Sequence, residues 1–285
     1  MKILLTGASG QVGYELQRSL QALGQVVAVD RARMDLSDLD QVRDVVRAVR
    51  PDLIVNPAAY TAVDRAESEP ELAHRINAEA PAVMAAEARL LGAAMVHYST
   101  DYVFDGTKQG AYVETDATNP INVYGRSKLA GEQAIAAAGI AHLILRTSWV
   151  YGMHGKNFLL TMLRLGRERD ELRVVADQFG APTWSRTIAD STAAILAQAR
   201  TGGAPWWEQN SGVYHLSGQG QTSWHGFTEA IVAKAGLGCT VVPIGSAEYP
   251  TPARRPANSL MSSDKLIQRF CAIPEWEQAL SLCLG

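Results

Sequence analysis

A tyrosine and a lysine stand one helical turn apart in the segment VYGRSKLAGE, residues 123–132. Tyr124 and Lys128 are at positions i and i+4, which lie on the same face of a helix. A phenol is normally a weak acid at neutral pH, and a neighbouring ammonium group lowers its pKa by favouring the phenolate. The spacing therefore predicts a general acid, Tyr124, beside the group that tunes it. A packed tyrosine next to a solvated lysine gives the same pattern.

A threonine ends the apolar segment AMVHYST, residues 94–100, and precedes this pair along the chain. If the segment is a strand of a parallel sheet, Thr100 lies at the carboxyl edge of that sheet. Ligands bind at this edge in open α/β sheets. We therefore expect Thr100 and Tyr124 to face one crevice.

A glycine-rich loop, GASGQVG, follows the first predicted strand and precedes a helical segment. Its glycines, Gly7, Gly10 and Gly13, permit a tight turn and let backbone N–H groups approach a phosphate at a helix N-terminus. The spacing is G-x-x-G-x-x-G, not the usual G-x-G-x-x-G fingerprint. Because strand, loop and helix occur in the required order, the loop predicts nucleotide binding.

The second predicted strand ends at Asp30, where an acid typically accepts hydrogen bonds from an adenosine ribose. Arg31 follows and could bind a 2′-phosphate instead, so the sequence leaves both NADH and NADPH open. Asp35 and Leu36 lie in a loop that could reach the adenine. After the third strand a cofactor would pass close to Ala58, Ala59 and Tyr60.

Short apolar segments alternate with helical ones through the first half of the chain. This order predicts an α/β fold, a Rossmann-like doubly wound parallel sheet with helices on both faces. The predicted strands are 2–8, 26–30, 53–59, 94–100 and 142–152, and the predicted helices are 14–23, 38–49, 70–91 and 124–138.

The second half is less regular, with short strand-like segments and helical patterns over 187–199 and 224–235. We expect a dinucleotide-binding domain over residues 1–152. A smaller, partly interleaved substrate-binding lobe would lie mainly in 153–285, with segments around 187–218 returning to the first domain.

The composition limits the class of protein. The chain has 285 residues and a formal net charge of −3, with acids and bases interspersed. No apolar run of about 18 residues indicates a membrane span, and no basic block indicates a nucleic-acid partner. The N-terminus lacks the pattern of a secretory signal. Three widely spaced cysteines favour reduced thiols, so we expect a cytoplasmic protein.

These motifs together resemble the extended short-chain dehydrogenase/reductase superfamily and, within it, the dTDP-4-dehydrorhamnose reductase family. The matching stretches run through essentially the whole chain. The combination of STDYVFDG, RTSWVYG and DQFGAP is much more specific than the glycine loop. The resemblance implies reduction of the C4 ketone of dTDP-4-dehydro-L-rhamnose by NADPH or NADH, the last step of dTDP-rhamnose biosynthesis.

The resemblance also implies roles for individual residues. Tyr124 would donate the proton, Lys128 would be its partner, and Thr100 would bind the substrate carbonyl. The cofactor would contact Gly10, Gln11 and Val12 with its pyrophosphate, Asp30, Asp35 and Leu36 with its adenosine half, and Ala58, Ala59 and Tyr60 with the remainder. The sugar of the substrate would contact Asp101 and Trp149, and its phosphates would contact Arg254 and Arg255.

One position departs from the family pattern. Members hold magnesium between glutamates at a subunit contact, and Glu15 matches one such position. Arg186 stands where the second acid is expected, whereas a hard cation needs oxygen ligands. The histidines show no zinc-helix spacing either. We therefore expect no metal site. A homodimer is still possible, but only one whose subunit contact does not depend on a metal.

Two other classes compete with this interpretation. Dehydratases of the same superfamily carry Thr-Asp-Glu after the fourth strand, whereas this chain has Thr100-Asp101-Tyr102; epimerases are often longer. A relative of these reductases serves methionine adenosyltransferase as a non-catalytic subunit. The intact set of Thr100, Tyr124 and Lys128 favours an enzyme.

Overall fold

A computed structural model describes residues 1–285 and shows an α/β fold. The strands, β1 to β12 in chain order, are Lys2–Leu5, Gln25–Ala28, Leu53–Asn56, Ala94–Thr100, His142–Thr147, Val150–Tyr151, Glu171–Val175, Phe179–Gly180, Thr183–Trp184, Gly212–His215, Thr222–Ser223 and Thr240–Ile244. The helices, α1 to α11, are Gln11–Ser19, Leu39–Val49, Val63–Ala66, Pro70–His74, Ala80–Leu91, Val123–Ala137, Phe158–Glu168, Ser185–Asn210, Trp224–Lys234, Asp264–Arg269 and Trp276–Leu284.

The central sheet has six parallel strands in the order β10-β5-β4-β3-β1-β2. Successive side chains alternate between its faces, so Ile3 and Leu5 join one apolar layer and Leu4 joins the other. The chain reverses its direction across the sheet between β1 and β3, which opens a crevice at their carboxyl ends. The Rossmann-like prediction is confirmed.

Several predicted bounds differ from the observed ones, such as strand 2–8, observed as Lys2–Leu5, and two predicted elements also contain irregular backbone. The strand predicted over 142–152 is interrupted, because Trp149 has a positive φ of 46° and separates β5 from β6. The helix predicted over 70–91 contains a π-helical segment, Arg75–Glu79, between α4 and α5. Both departures lie beside the helix α6 or the crevice, where irregular backbone re-aims side chains.

A second apolar core lies in the C-terminal half. The parallel pair β7 and β12 packs with α7, α9 and α11 around buried side chains that include Phe227, Trp276 and Leu280. Strand β10 belongs to the six-stranded sheet, and α8 packs against α1. The domain boundary at residue 152 stays a prediction. No helix is long and apolar enough to cross a membrane.

Candidate active site

A cleft of about 850 Å³ lies beyond the carboxyl ends of β1, β3, β4 and β5 and reaches the second lobe. The structure brings most of the predicted site residues together here, although they come from distant parts of the sequence. These lining residues are Gly7, Gly10, Gln11, Val12, Asp35, Leu36, Ala58, Ala59, Tyr60, Thr100, Asp101, Tyr124, Lys128 and Trp149.

The glycine loop forms an open cradle at one wall. Gly7 has a φ of +56°, and a Cβ on Gly13 would collide with the Gly7 carbonyl oxygen, so both positions require glycine. No side chain caps α1 at Gly10, whereas Asn122 caps α6. The first N–H groups of α1 therefore remain free for a ligand. An uncapped helix N-terminus next to a close glycine turn fits a pyrophosphate.

At the end of the cleft beyond β2, exposed side chains contact residues only a few positions away in the sequence. Asp30 lies outside the cleft lining, and its Oδ1 accepts hydrogen bonds from the backbone N–H groups of Ala32 at 3.1 Å and Arg33 at 3.2 Å. Arg31 does line the cleft, and its Nε lies 3.2 Å from Asp35 Oδ2. The structure therefore places the Arg31 guanidinium at this end of the cleft, and the role of Asp30 at the adenosine ribose stays a prediction.

The helix that carries the predicted catalytic pair sits unusually close to its neighbours. Asn122 caps α6 by accepting a hydrogen bond from Gly125 N at 2.8 Å. A Cβ on Gly125 would collide with the Tyr102 carbonyl oxygen, and one on Gly131 would collide with the Asn77 carbonyl oxygen in the π-helical segment. Gly125 therefore lets α6 approach the end of β4, and Gly131 lets it approach the π-helical segment.

Thr100 and Asp101 form a buried polar pair at the end of β4. The Thr100 hydroxyl donates to Asp101 Oδ1 at 2.9 Å and accepts from Tyr102 N at 3.1 Å. Burial raises the pKa of Asp101 to about 6, against the opposing effect of its hydrogen bonds. A carboxyl group that is easily protonated therefore lies next to the hydroxyl that faces the cleft.

Tyr124 is a protonated phenol at neutral pH. Burial raises its pKa, the Asp101 charge raises it further, and a hydrogen bond with Thr100 lowers it in part. The predicted lowering of the Tyr124 pKa by Lys128 is not found in this structure, because burial and the Asp101 charge raise that pKa and no hydrogen bond joins Tyr124 to Lys128. A phenol that keeps its proton suits a donor.

Lys128 is held by groups on β4. Its Nζ donates to the Tyr98 carbonyl oxygen at 2.6 Å and lies 3.1 Å from His97 Nε2. Burial lowers the pKa of Lys128 to about 8, although the Glu132 carboxylate opposes that shift. The ammonium is fixed at the cleft wall with its charge retained at neutral pH.

Three aromatic rings line the cleft that also contains Tyr124: Trp149, which follows β5, and Phe158 and Trp224 of the second lobe. The Trp149 and Trp224 rings stack at 3.6 Å with an interplanar angle of 10°, and Phe158 lies 4.5 Å from Trp224. A Cβ on Gly180 would come within 2.7 Å of the Trp149 ring, which explains the glycine of DQFGAP. The sequence analysis missed Trp224 and Phe158, because their place in the cleft depends on how the second lobe packs.

A loop after β6 closes over the glycine cradle. The His154 ring stacks on Tyr14 at 3.8 Å, and its Nε2 lies 3.0 Å from the Ser9 carbonyl oxygen. Gly155 of the same loop lies beside Gln11, and the next residue, Lys156, lines the cleft and brings a positive charge to it. Sequence reasoning missed Lys156, since no motif marks a loop residue of this kind.

Arg255 does not line the cleft. Its Nη1 and Nη2 donate to the two carboxylate oxygens of Asp64 at 3.0 and 2.8 Å, and Arg254 is exposed. The Arg255 guanidinium is thus paired with a carboxylate, and the phosphate-binding roles of Arg254 and Arg255 stay predictions.

Glu15 and Arg186 are the two positions that the family pattern associates with a metal. Arg186 Nε lies 3.6 Å from Asp190 Oδ2 on α8, and both side chains are exposed. Glu15 lies on α1 and is partly buried. No group of three or more His, Cys, Asp or Glu side chains is arranged to hold a metal ion.

Comparison with known proteins shows the family. The family model described as RmlD substrate binding domain matches residues 1–285, and the chain belongs to that family. It is 53% identical to the dTDP-4-dehydrorhamnose reductase of Burkholderia thailandensis over 100% of this chain and 98% of that protein. It is 46% identical to the enzyme of the same name from Escherichia coli K12, over 100% and 97%.

Solved structures show the same fold. The dTDP-4-dehydrorhamnose reductase of Bacillus anthracis, crystallised in complex with NADP, superposes with a TM-score of 0.90 at 37% identity over 99% of this chain and 98% of that one. The UDP-glucose 4-epimerase of Thermus thermophilus, in complex with NAD, has a TM-score of 0.81 at 20% identity over 100% and 98%. At that identity the second likeness shows the fold alone.

Proposed function

We propose that this member of the RmlD family is an NADPH- or NADH-dependent dTDP-4-dehydrorhamnose reductase. It reduces the C4 ketone of dTDP-4-dehydro-L-rhamnose to give dTDP-L-rhamnose, the last step of dTDP-rhamnose biosynthesis. The observation that carries the proposal is the meeting of Thr100, Tyr124 and Lys128 in the cleft that also contains the glycine cradle.

The glycine cradle and its neighbours are proposed to bind the cofactor. The free N–H groups of α1 at Gln11 and Val12 bind the pyrophosphate, and Lys156 adds a positive charge to them. Arg31 is the residue at the adenosine end that suits a 2′-phosphate, because a guanidinium binds phosphate oxygens in a fork. The bound cofactor supplies the hydride.

Tyr124 is the proton donor of the proposed reaction. A phenol is protonated at neutral pH even at its ordinary pKa, and an alkoxide is a much stronger base than a phenolate, so Tyr124 can protonate the oxygen that becomes an alkoxide at C4. Thr100 supplies a second hydrogen bond to that oxygen when its hydroxyl proton turns away from Asp101. Donors that are already in position before the reaction stabilise the developing charge at little reorganisation cost.

Lys128 contributes a fixed positive charge. Two of its N–H groups are directed at protein acceptors, which leaves one for a ligand in the cleft. In the proposed enzyme that group binds the nicotinamide ribose, and the charge offsets the phenolate that forms when Tyr124 gives up its proton.

The sugar is proposed to lie between β4 and the second lobe. Asp101 accepts a hydrogen bond from a sugar hydroxyl, and Trp149 provides a flat apolar surface against the sugar ring. A small-molecule nucleotide sugar is the partner that this cleft suits. A role of Arg255 at the substrate phosphates requires that its ion pair with Asp64 open.

Assembly and location form a further part of the proposal. A homodimer is compatible with the family and would be measured by sedimentation equilibrium. A cytoplasmic location is supported by three free cysteine thiols, because disulfides usually form in oxidising compartments.

The test follows absorbance of the reduced nicotinamide with freshly generated dTDP-4-dehydro-L-rhamnose. Wild type should turn over, and Tyr124→Phe should lose about 10²–10⁴-fold in kcat, the usual contribution of a positioned acid, while still binding NADPH. A folded wild-type protein that binds NADPH but consumes neither cofactor would instead support the non-catalytic alternative.

A further inference from the structure

A buried chain of hydrogen-bonding side chains crosses the three neighbouring strands β1, β3 and β4 and ends at Lys128. Thr6 Oγ1 and Asn56 Oδ1 lie 2.6 Å apart, Asn56 Nδ2 and His97 Nδ1 lie 3.0 Å apart, and His97 Nε2 lies 3.1 Å from Lys128 Nζ. Each of the four residues is at most 2% exposed. Polar groups buried this deeply cost free energy unless they are paired, so the chain of contacts needs a reason.

The strand register produces this row. Asn56 on β3 is the register partner of His97 on β4. Thr6 follows β1, and its N–H donates to the Val55 carbonyl oxygen at 3.0 Å, which continues the same parallel pairing. Residues opposite each other on parallel strands project to the same face. The three side chains therefore form a straight row that points to α6.

We propose that His97 is a positioning residue for Lys128, supported from behind by Asn56 and Thr6. An ammonium has three tetrahedral donors. The Tyr98 carbonyl takes one at 2.6 Å and the His97 ring takes a second at 3.1 Å, and these two bonds fix the direction of the third. His97 thereby aims Lys128 into the cleft that it lines.

The protonation state of the ring suits this role. Burial and the Lys128 charge both hold the pKa of His97 well below its usual value, so the ring is neutral and Nε2 can accept a hydrogen bond from the ammonium. The single ring proton is then on Nδ1. Rotating the Asn56 amide by 180° about its Cβ–Cγ bond exchanges its oxygen and nitrogen. The amide oxygen then accepts a hydrogen bond from His97 Nδ1, and the amide NH₂ group donates to Thr6 Oγ1.

A second buried histidine provides a matched control. His215 on β10 belongs to the same sheet, is also 0% exposed, and has no side-chain hydrogen-bond partner on either ring nitrogen. Burial lowers its pKa to about 3, so it is neutral as well. It does not line the cleft and does not touch Lys128. The two histidines share burial and charge state but differ in the contact that the proposal uses.

The inference rests on the proposed function, but its first measurement does not. Binding of NADPH alone, followed by its fluorescence, is compared for wild type, His97→Leu, His97→Gln and His215→Leu. The dissociation constant should rise about tenfold in His97→Leu, the usual effect of losing a hydrogen bond to a charged group. His97→Gln, whose carbonyl oxygen can replace Nε2, should restore affinity to within about threefold of wild type, and His215→Leu should bind like wild type.

Turnover provides the second measurement. In the proposed enzyme His97→Leu should also lose about tenfold in kcat, with the KM for the sugar substrate nearly unchanged, since Lys128 does not bind the sugar. If the wild type binds NADPH but does not reduce the sugar, the proposed function fails while the binding comparison still tests His97.

Two results would overturn the inference. One is an equal loss of NADPH affinity in His97→Leu and His215→Leu, which would mean that His97 affects binding only by stabilising the fold. The other is a folded His97→Gln with no recovery. If His97→Leu does not fold, His97→Asn replaces it, because asparagine is too short to reach Lys128; Gln must then bind NADPH more tightly than Asn.

Discussion

The two ends of the cleft differ in how their side chains are held. At the catalytic end, defined by Thr100, Tyr124 and Lys128, the threonine and lysine are buried; Lys128 on α6 donates to the Tyr98 carbonyl oxygen on β4, and Thr100 pairs with its buried neighbour Asp101. At the adenosine end, Arg31 and Asp35 are four residues apart, and the Arg31 side chain is 79% exposed.

This difference follows the work that each end does. Donors that act on a developing charge must be in place beforehand, which requires burial and several partners for each group. Recognition of a solvent-facing phosphate tolerates a mobile guanidinium, and an exposed ion pair such as Arg31–Asp35 contributes little to stability. Changes at the catalytic end should therefore reduce kcat, whereas changes at the adenosine end should reduce affinity.

After Tyr124→Phe, the largest effect is expected from Thr100→Val, which removes the hydroxyl and keeps the shape of the side chain. We expect a loss of about 100-fold in kcat, similar to removal of one oxyanion donor. Thr100→Ser keeps the hydroxyl and should retain most of the activity. Steady-state kinetics of both variants, at equal melting temperature, measure the difference; equal losses would show that the methyl group matters and the hydroxyl does not.

A pH profile of kcat/KM for NADPH should show the next largest effect. Burial lowers the pKa of Lys128 to about 8, so its charge is lost as the pH rises through that value. The rate should fall about tenfold per pH unit above this point. The pKa of Tyr124 is raised, so the phenol does not produce this limb.

The variant Lys128→Arg tests that assignment. Arginine stays charged throughout the accessible pH range, so the alkaline limb should disappear even if the absolute rate is lower. An unchanged limb in Lys128→Arg would assign the titration to another group.

The smallest effect is expected at the adenosine end. Arg31→Ala should raise the KM for NADPH about tenfold, the value of one hydrogen bond to a charged group, with kcat unchanged. The KM for NADH should stay the same, since NADH lacks the 2′-phosphate. Arg33→Ala, an exposed neighbour outside the cleft, is the matched control. A parallel rise for NADH would show that Arg31 does not read the phosphate.

Local features of this protein could be predicted from its sequence. The order of strand, glycine loop and helix around Gly7 and Gly13 is a property of one short segment, and the observed backbone requires those glycines. The Tyr124–Lys128 spacing lies within one helix, and the alternation of apolar segments was enough to predict the parallel sheet.

The tertiary structure decided what those groups face. The sequence placed Asp30 in the adenosine site, yet Asp30 accepts hydrogen bonds from its own loop and Arg31 lines the cleft. The sequence also predicted a lowered Tyr124 pKa, whereas burial raises it. The stack of Trp149 on Trp224 requires packing between the two halves of the chain.

What the sequence alone determined, then, is the order of elements, the glycine turn and the helical spacing of the catalytic pair, because these depend on residues a few positions apart. The row of Thr6, Asn56 and His97 behind Lys128 depends on strand register, and the pKa values depend on burial. Register and burial join residues that are distant in the chain, so only the folded protein fixes them.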